Sequence, residues 1–134
     1  MIKNKKFSNA INNIPQRTPP IWFMRQAGRY HSHYQSLRKK HTFVELCKTP
    51  SLAAEVAMGP INDFDYDVAI LFSDILFPLE SLGLELDYAP GPVFNRFLNE
   101  NDLSLPISSS EILESNEFQA EALNITRNLL PTNK

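Results

Sequence analysis

Three rhythms of apolar and polar positions run along the 134 residues, and each predicts a different kind of element. Phe7, Ala10, Ile11 and Ile14 recur at helical spacing in an otherwise polar stretch, which predicts a short leading helix or tail within residues 1–14. Pro15, Pro19 and Pro20 break it, and residues 21–24 form a short apolar strand candidate with Arg25 at its carboxyl end. Residues 31–41 are polar and basic. Thr42 followed by Glu45 reads as a capping box, and Thr49-Pro50 as an N-cap with proline at the first helical position. The helix that follows carries Leu52, Ala53, Val56 and Ala57 on one face, and Pro60 is expected to kink or end it. Residues 68–72 (Val-Ala-Ile-Leu-Phe) are continuously apolar, as in a strand buried on both faces, with Ser73 and Asp74 at its carboxyl end. One or two helical turns are expected from Ile75 to Leu82, stopped by Gly83. Residues 84–88 alternate and predict an exposed strand turned at Pro90-Gly91-Pro92, and a last helix is expected over 111–130 before Pro131. Strand, helix, strand with polar strand tips is the pattern of a βα barrel or a doubly wound sheet, and Arg25 and Asp74 fall at the ends where such folds carry their chemistry.

Length changes the picture. A chain of 134 residues suits one domain, whereas a complete (β/α)8 barrel typically takes about 250. The formal charge is −2, from 13 basic and 15 acidic residues, so bulk composition favours neither nucleic acid nor a membrane surface. The distribution is uneven: residues 1–48 hold ten Lys or Arg and one acid, and residues 49–134 hold three and fourteen. That polarity suggests an anionic ligand on the basic side or attraction between the halves. Lys3, Lys5 and Lys6 are expected in a frayed tail. Cys47 is the only cysteine, which excludes an internal disulfide and suggests a buried thiol in a reducing cytoplasm. No apolar run approaches a membrane span, and no signal-peptide core is present at the N-terminus.

Candidate chemistry concentrates between Pro20 and Tyr30. Arg25 and Arg29 stand four residues apart around Ala27-Gly28, Arg38 follows nine later, and Glu45 is the only acid before Lys48. Guanidinium groups gathered without carboxylates call for an anion, and a glycine lets the backbone approach one; the alternative is a solvated basic turn. The whole string Pro-Ile-Trp-Phe-Met-Arg-Gln-Ala-Gly-Arg-Tyr (20–30), with Phe-Ser-Asp-Ile-Leu (72–76), closely resembles the two N-terminal signatures of the uroporphyrinogen decarboxylase family. The resemblance is strongest over 15–100, weak around 105–120, and returns faintly at 124–127.

The resemblance implies an α/β fold, the N-terminal part of a (β/α)8 TIM barrel with about two of eight barrel strands, as one partial domain over 1–134. It implies cofactor-free and metal-free removal of the four acetate carboxylates of uroporphyrinogen, as CO2, to give coproporphyrinogen. Arg25, Gln26, Ala27, Gly28, Arg29 and Arg38 would bind substrate, and Asp74 would accept the pyrrole N–H bonds. Chemically, loss of CO2 needs an electron sink, which ring protonation supplies, and an ionised Asp74 beside that cation would stabilise the transition state. Arg25 is the candidate for donating or relaying the ring proton. The competing role for Asp74 is a helix N-cap before Ile75. A tyrosine, a serine or threonine, and a histidine of the family site have no counterpart here, and the family's homodimer has no visible interface. Two strands with unpartnered edges favour aggregation or loose packing. The alternative is thus an inactive truncated or split-gene product that at most binds a polyanionic tetrapyrrole. A related methyltransferase-like reading is disfavoured by the intact arginine block.

Other candidates are weaker. His31-Ser32-His33 lacks a third zinc ligand at suitable spacing. Asp63, Asp65 and Asp67 begin like a calcium loop but have Val68 where it needs glycine and Asp74 where it needs glutamate, so solvated loop acids are expected. Trp22 and Phe23 are expected in the core.

Overall fold

The computed structural model describes residues 4–102 and 108–134, so Lys3 of the expected basic tail lies outside the described residues. Helix α4 (Pro50–Phe64) is the element around which the others pack: α6 (Glu117–Leu129), α3 (Phe43–Lys48) and α2 (Ser32–Arg38) all lie against it. Its sequence explains this. Small residues Ala53, Ala54, Ala57 and Gly59 let neighbours approach, and everything from Val56 to Ile61 is buried. The helix runs through Pro60 instead of ending there. Proline leaves the Val56 carbonyl without its helical donor, but packing around this buried turn holds the segment helical to Phe64. Asp65 closes it in the left-handed region at φ 55°, a conformation that a short polar side chain tolerates.

The capping box at Thr42 is present: its hydroxyl accepts from Glu45 N at 3.1 Å and the Glu45 carboxylate returns to Thr42 N. Thr49 occupies the N-cap of α4 with Pro50 behind it, but its side chain makes no capping bond. The leading helix is α1 (Lys5–Ile11). Gly83, at φ 72°, stops a 3-10 helix over Phe77–Leu82, as its sequence predicts. Strands β1 (Leu86–Tyr88) and β2 (Pro92–Phe94) pair antiparallel with Leu86 opposite Phe94 and Tyr88 opposite Pro92.

Three expectations are corrected. The helix over 111–130 is two, α5 (Ser109–Ser115) and α6. Asn116 turns its side-chain amide back onto the Ile112 carbonyl at 2.9 Å, competing with continued helix. The basic stretch after residue 30 contains α2, whose Tyr34 and Leu37, three apart, are buried. Most consequentially, residues 21–24 and 68–72 lie side by side without forming strands. Among the described residues one backbone bond ties the first to the start of the second, Asp67 N to Ile21 O at 2.8 Å, and side chains supply further bonds. The Asp67 carboxylate accepts Ile21 N at 2.8 Å and the Gln26 amide donates to Val68 O at 2.8 Å. Among the described residues the sheet is therefore β1–β2 alone, and the fold is a mixed one of helices with one hairpin, consistent with part of a barrel.

Tyr34, Leu37, Leu46 and Val56 form the apolar core, with Ala27, Leu52 and Phe72 packed against it. A relay of rings carries this packing across the molecule. Tyr34 meets Phe72 at 5.4 Å, Phe72 meets Phe43 at 5.8 Å, Phe43 meets Tyr88 at 4.7 Å, and Phe77 bridges Tyr88 and Phe118. Trp22 and Phe23, by contrast, are exposed; Phe23 has only the edge of Tyr66 as a ring partner.

Of the three loop acids, Asp63 and Asp65 stay exposed, as expected, whereas Asp67 is buried and acts as a fastener. Asp63 pairs with His31, Asp65 with Lys134, and Asp67 is 4% exposed and holds Ile21 N, Asn4 and Lys6. Burial alone would push the Asp67 carboxyl up, but the Ile21, Asn4 and Lys6 donors outweigh it and hold it below the ordinary range. A depressed carboxyl stabilises the fold above its unfolded value of about 3.9, and that stability is lost as pH falls through the lower folded value. Asp67→Ala, which removes the acceptor of Ile21 N and the partner of Lys6 while Asn4 keeps the Asp67 and Asn133 carbonyls, is expected to cost about 1–3 kcal/mol in urea denaturation near neutral pH. Its stability should fall less steeply than wild type on acidification below pH about 4.

Candidate functional site

The loop carrying the arginines owes its shape to Gln26, which is 2% exposed. Its side-chain oxygen accepts Phe23 N at 3.2 Å, its amide nitrogen reaches Val68 O, and its own carbonyl accepts the Tyr30 hydroxyl. With Oε1 and Nε2 each bonded to backbone, Gln26 positions the loop. Ala27 is half-buried against the same core as Phe72, which stands two residues before Asp74. Ala27 and Phe72 thereby bring the two signature segments onto one support.

The cations are distributed around this support. Arg25 is exposed on the turn at residues 24–25, Arg29 is exposed after Gly28, and Arg38 ends α2 with Nη1 on the His41 carbonyl at 2.6 Å. No carboxylate pairs with any of the three among the described residues, although the chain forms five other ion pairs. Burial raises the Tyr34 phenol, while Arg38 and Arg29 pull it down, so both guanidinium groups act on one hydroxyl. Arg38 also acts on Cys47, whose thiol is pushed up to about 12 by burial and by the Asp74 charge. Arg29, Arg38 and Asp74 thus share a neighbourhood centred on Tyr34 and Cys47. Arg25 enters none of these interactions.

Asp74 is half-buried, and its Oδ1 accepts Leu76 N at 2.9 Å. This closes a turn before the 3-10 helix, whose N-cap is Leu76, so the expected N-cap role is replaced by a turn bond one step earlier. Gly28 has no conformational reason of its own to be glycine. Its φ is not positive, and an added Cβ would meet Arg25 O at 3.7 Å and the Tyr30 ring at 3.8 Å. That leaves the outer face of the loop as the reason for its openness.

Cys47 is buried and its raised pKa keeps it a neutral thiol. His31 is buried with Nε2 at 2.7 Å from Asp63, and no group of three or more potential metal ligands is found among the described residues. No described helix is long and apolar enough to cross a membrane. Sequence reasoning overlooked Tyr34 and Tyr88. The signals were there: Tyr34 sits three before Leu37, and Tyr88 continues the Leu84, Leu86 alternation.

Against known proteins, the family model described as uroporphyrinogen decarboxylase matches residues 2–133. Uroporphyrinogen decarboxylase of Geobacter sulfurreducens is 56% identical over 91 residues, and that of Geobacter metallireducens 55% over the same length; each alignment covers 68% of this chain and 27% of the relative. The Pelobacter propionicus enzyme is 50% identical over 93 residues, 69% of this chain and 27% of its own. The chain spans about a quarter of the length of the curated relatives it matches.

Two glycines give opposite expectations. Gly28→Ala should unfold within about 0.5 kcal/mol of wild type in urea. In α4, a Cβ on Gly59 would stand 2.5 Å from His33 Cδ2 and 3.2 Å from the buried His31 ring. Despite alanine's helix propensity, Gly59→Ala should lose about 1–2 kcal/mol, and pairing it with His33→Ala should recover most of that.

Proposed function

Taking as premise that this chain belongs to the uroporphyrinogen decarboxylase family, we propose that it contributes the carboxylate-binding arginines and the central aspartate to decarboxylation of uroporphyrinogen. One observation supports the reading: among the described residues Arg29 and Arg38 have no carboxylate partner, Arg29 on the loop that Gln26 and the shared core hold in place and Arg38 at the end of α2. Unpaired guanidinium groups match the substrate's peripheral carboxylates in charge and in fork geometry. Asp74 offers a fixed acceptor for inward-pointing pyrrole N–H groups.

The chemistry then follows from charge. A proton added to a pyrrole carbon makes the ring cationic. The electron pair of the breaking C–C bond flows into that ring as CO2 leaves the acetate arm. A proton on the former methylene carbon gives a methyl group, and the ring proton is returned, so each cycle consumes one proton. Asp74 lowers the barrier by facing the cation that exists only during this passage. Arg25, exposed on the turn at residues 24–25, is assigned to a substrate carboxylate and to relay of the ring proton.

A second reading applies to the chain acting alone: it binds the tetrapyrrole without turnover. The arginines and Asp74 stand on an open surface, whereas charge stabilisation of this kind gains its strength where water is excluded. The test is anaerobic titration of the purified chain with uroporphyrinogen, followed by assay for coproporphyrinogen. Binding that weakens with salt is expected, with an affinity loss of about tenfold for Arg29→Ala or Arg38→Ala. Gly28→Ala should also bind more weakly while unfolding like wild type. Robust coproporphyrinogen formation or absent binding would overturn the second reading, and affinity unchanged by salt and by Arg29→Ala and Arg38→Ala would overturn the first.

A further inference from the structure

The loop from Gln26 to Tyr30 has its carbonyl oxygens tied and its N–H groups free. The Tyr30 hydroxyl donates to Gln26 O, His31 N to Gly28 O at 2.9 Å, and Gln35 Nε2 to Arg29 O at 2.6 Å. Among the described residues the N–H groups of Ala27, Gly28, Arg29 and Tyr30 make no hydrogen bond within the chain. Peptide planarity turns this imbalance into a direction. In a trans peptide the N–H points opposite to the C=O of the same plane. Tying the carbonyls of Gln26, Gly28 and Arg29 therefore turns the N–H groups of Ala27, Arg29 and Tyr30 the other way. Ala27 and Gly28 are half-buried, and Arg29 and Tyr30 are exposed, so these donors lie at the surface with a guanidinium group between them.

We propose that Gln35, together with Tyr30, is a positioning residue for carboxylate binding: the two side chains occupy the loop's carbonyl oxygens and so leave the loop presenting N–H groups to an oxyanion. The inference rests on the assignment of the arginine loop to the substrate's carboxylates and deepens it, by adding oriented main-chain donors to the guanidinium groups. Successive backbone N–H groups left free in a turn attract an anion through their partial positive charges. A peptide released to rotate would instead offer its carbonyl oxygen, which repels a carboxylate. Gln35 is well placed to prevent that rotation. It is exposed on α2, whose Tyr34 and Leu37 are buried in the core, so its amide reaches Arg29 O from a fixed helix. Tyr30 does the same for the Gln26 carbonyl across Ala27, Gly28 and Arg29.

The competing account makes Gln35 a simple clasp between loop and helix. The loop does not depend on such a clasp. Gln26 already fastens it through Phe23 N and Val68 O, and Ala27 rests on the apolar core. What the Gln35 bond adds is the orientation of one peptide plane, the one that joins Arg29 to Tyr30. Its loss is therefore expected to alter what the loop offers a ligand while leaving the fold in place.

The test is an NMR titration of the full chain with citrate, a small polycarboxylate. Citrate should shift the backbone amide signals of Ala27, Arg29 and Tyr30 in the wild type. Gln35→Met keeps the length and neutrality of the side chain but cannot donate. It should weaken citrate about fivefold, the worth of one ordinary hydrogen bond, with the urea midpoint unchanged. Tyr30→Phe should weaken citrate in the same way. Loop amides that ignore citrate in the wild type, or wild-type citrate affinity in Gln35→Met, would overturn the proposal. An affinity loss accompanied by a lowered urea midpoint would overturn it too, because that is the mark of a clasp. No arm uses the tetrapyrrole. A chain that binds citrate at these amides but not uroporphyrinogen loses the functional reading and keeps this one, and uroporphyrinogen binding without a citrate response at the loop does the reverse.

Discussion

The buried carboxylate of Asp67 is the constraint on which the arrangement depends. It takes a backbone N–H from Ile21, a side-chain amide from Asn4 and a cation from Lys6, while its own N–H goes to Ile21 O. Two extended segments that do not form a ladder are thereby aligned at one end by a side chain. Gln26 repeats the device one residue along, through Val68 O. Because a buried acceptor with good donors is costly to break, the relative position of the two signature segments is set by polar bonds, not by sheet pairing.

Apolar packing then transfers that alignment to the site. Ala27 and Phe72 rest on Tyr34, Leu37, Leu46 and Val56, so the arginine loop and the approach to Asp74 share one foundation. The aromatic relay through Phe43 extends it to the hairpin. Charge is arranged against this neutral base with an economy that suits an anionic ligand. The lysines near the ends of the chain, Lys6 and Lys134, are paired with acids, whereas Arg29 and Arg38 have no carboxylate partner among the described residues.

Much of the local structure was legible in the sequence because it arises from short-range chemistry. Thr42 with Glu45, Gly83 after the 3-10 turn and the Pro-Gly-Pro reversal each act within a few residues. The failures have a common cause as well. Whether the apolar run at 68–72 becomes a strand depends on neighbours on both edges, which no local pattern encodes. Asp67 looked like a solvated acid because its partners, Asn4 and Lys6, are distant in sequence. The arginine block and Asp74 were legible through resemblance, whereas Gln26's internal role emerges only when Val68 is seen beside it.

The fastening of the two chain ends has a kinetic corollary. Asn4 bonds to Asp67 across 63 positions and to Asn133 across 129, and Lys134 reaches Asp65 across 69. Each contact closes a large loop whose entropy must be lost before the bond repays it. Local helices form early in such a chain, but the register of 21–24 against 68–72 awaits the meeting of remote partners. Folding is then governed by that late search, and a topology with such long closures is a slow folder for its size.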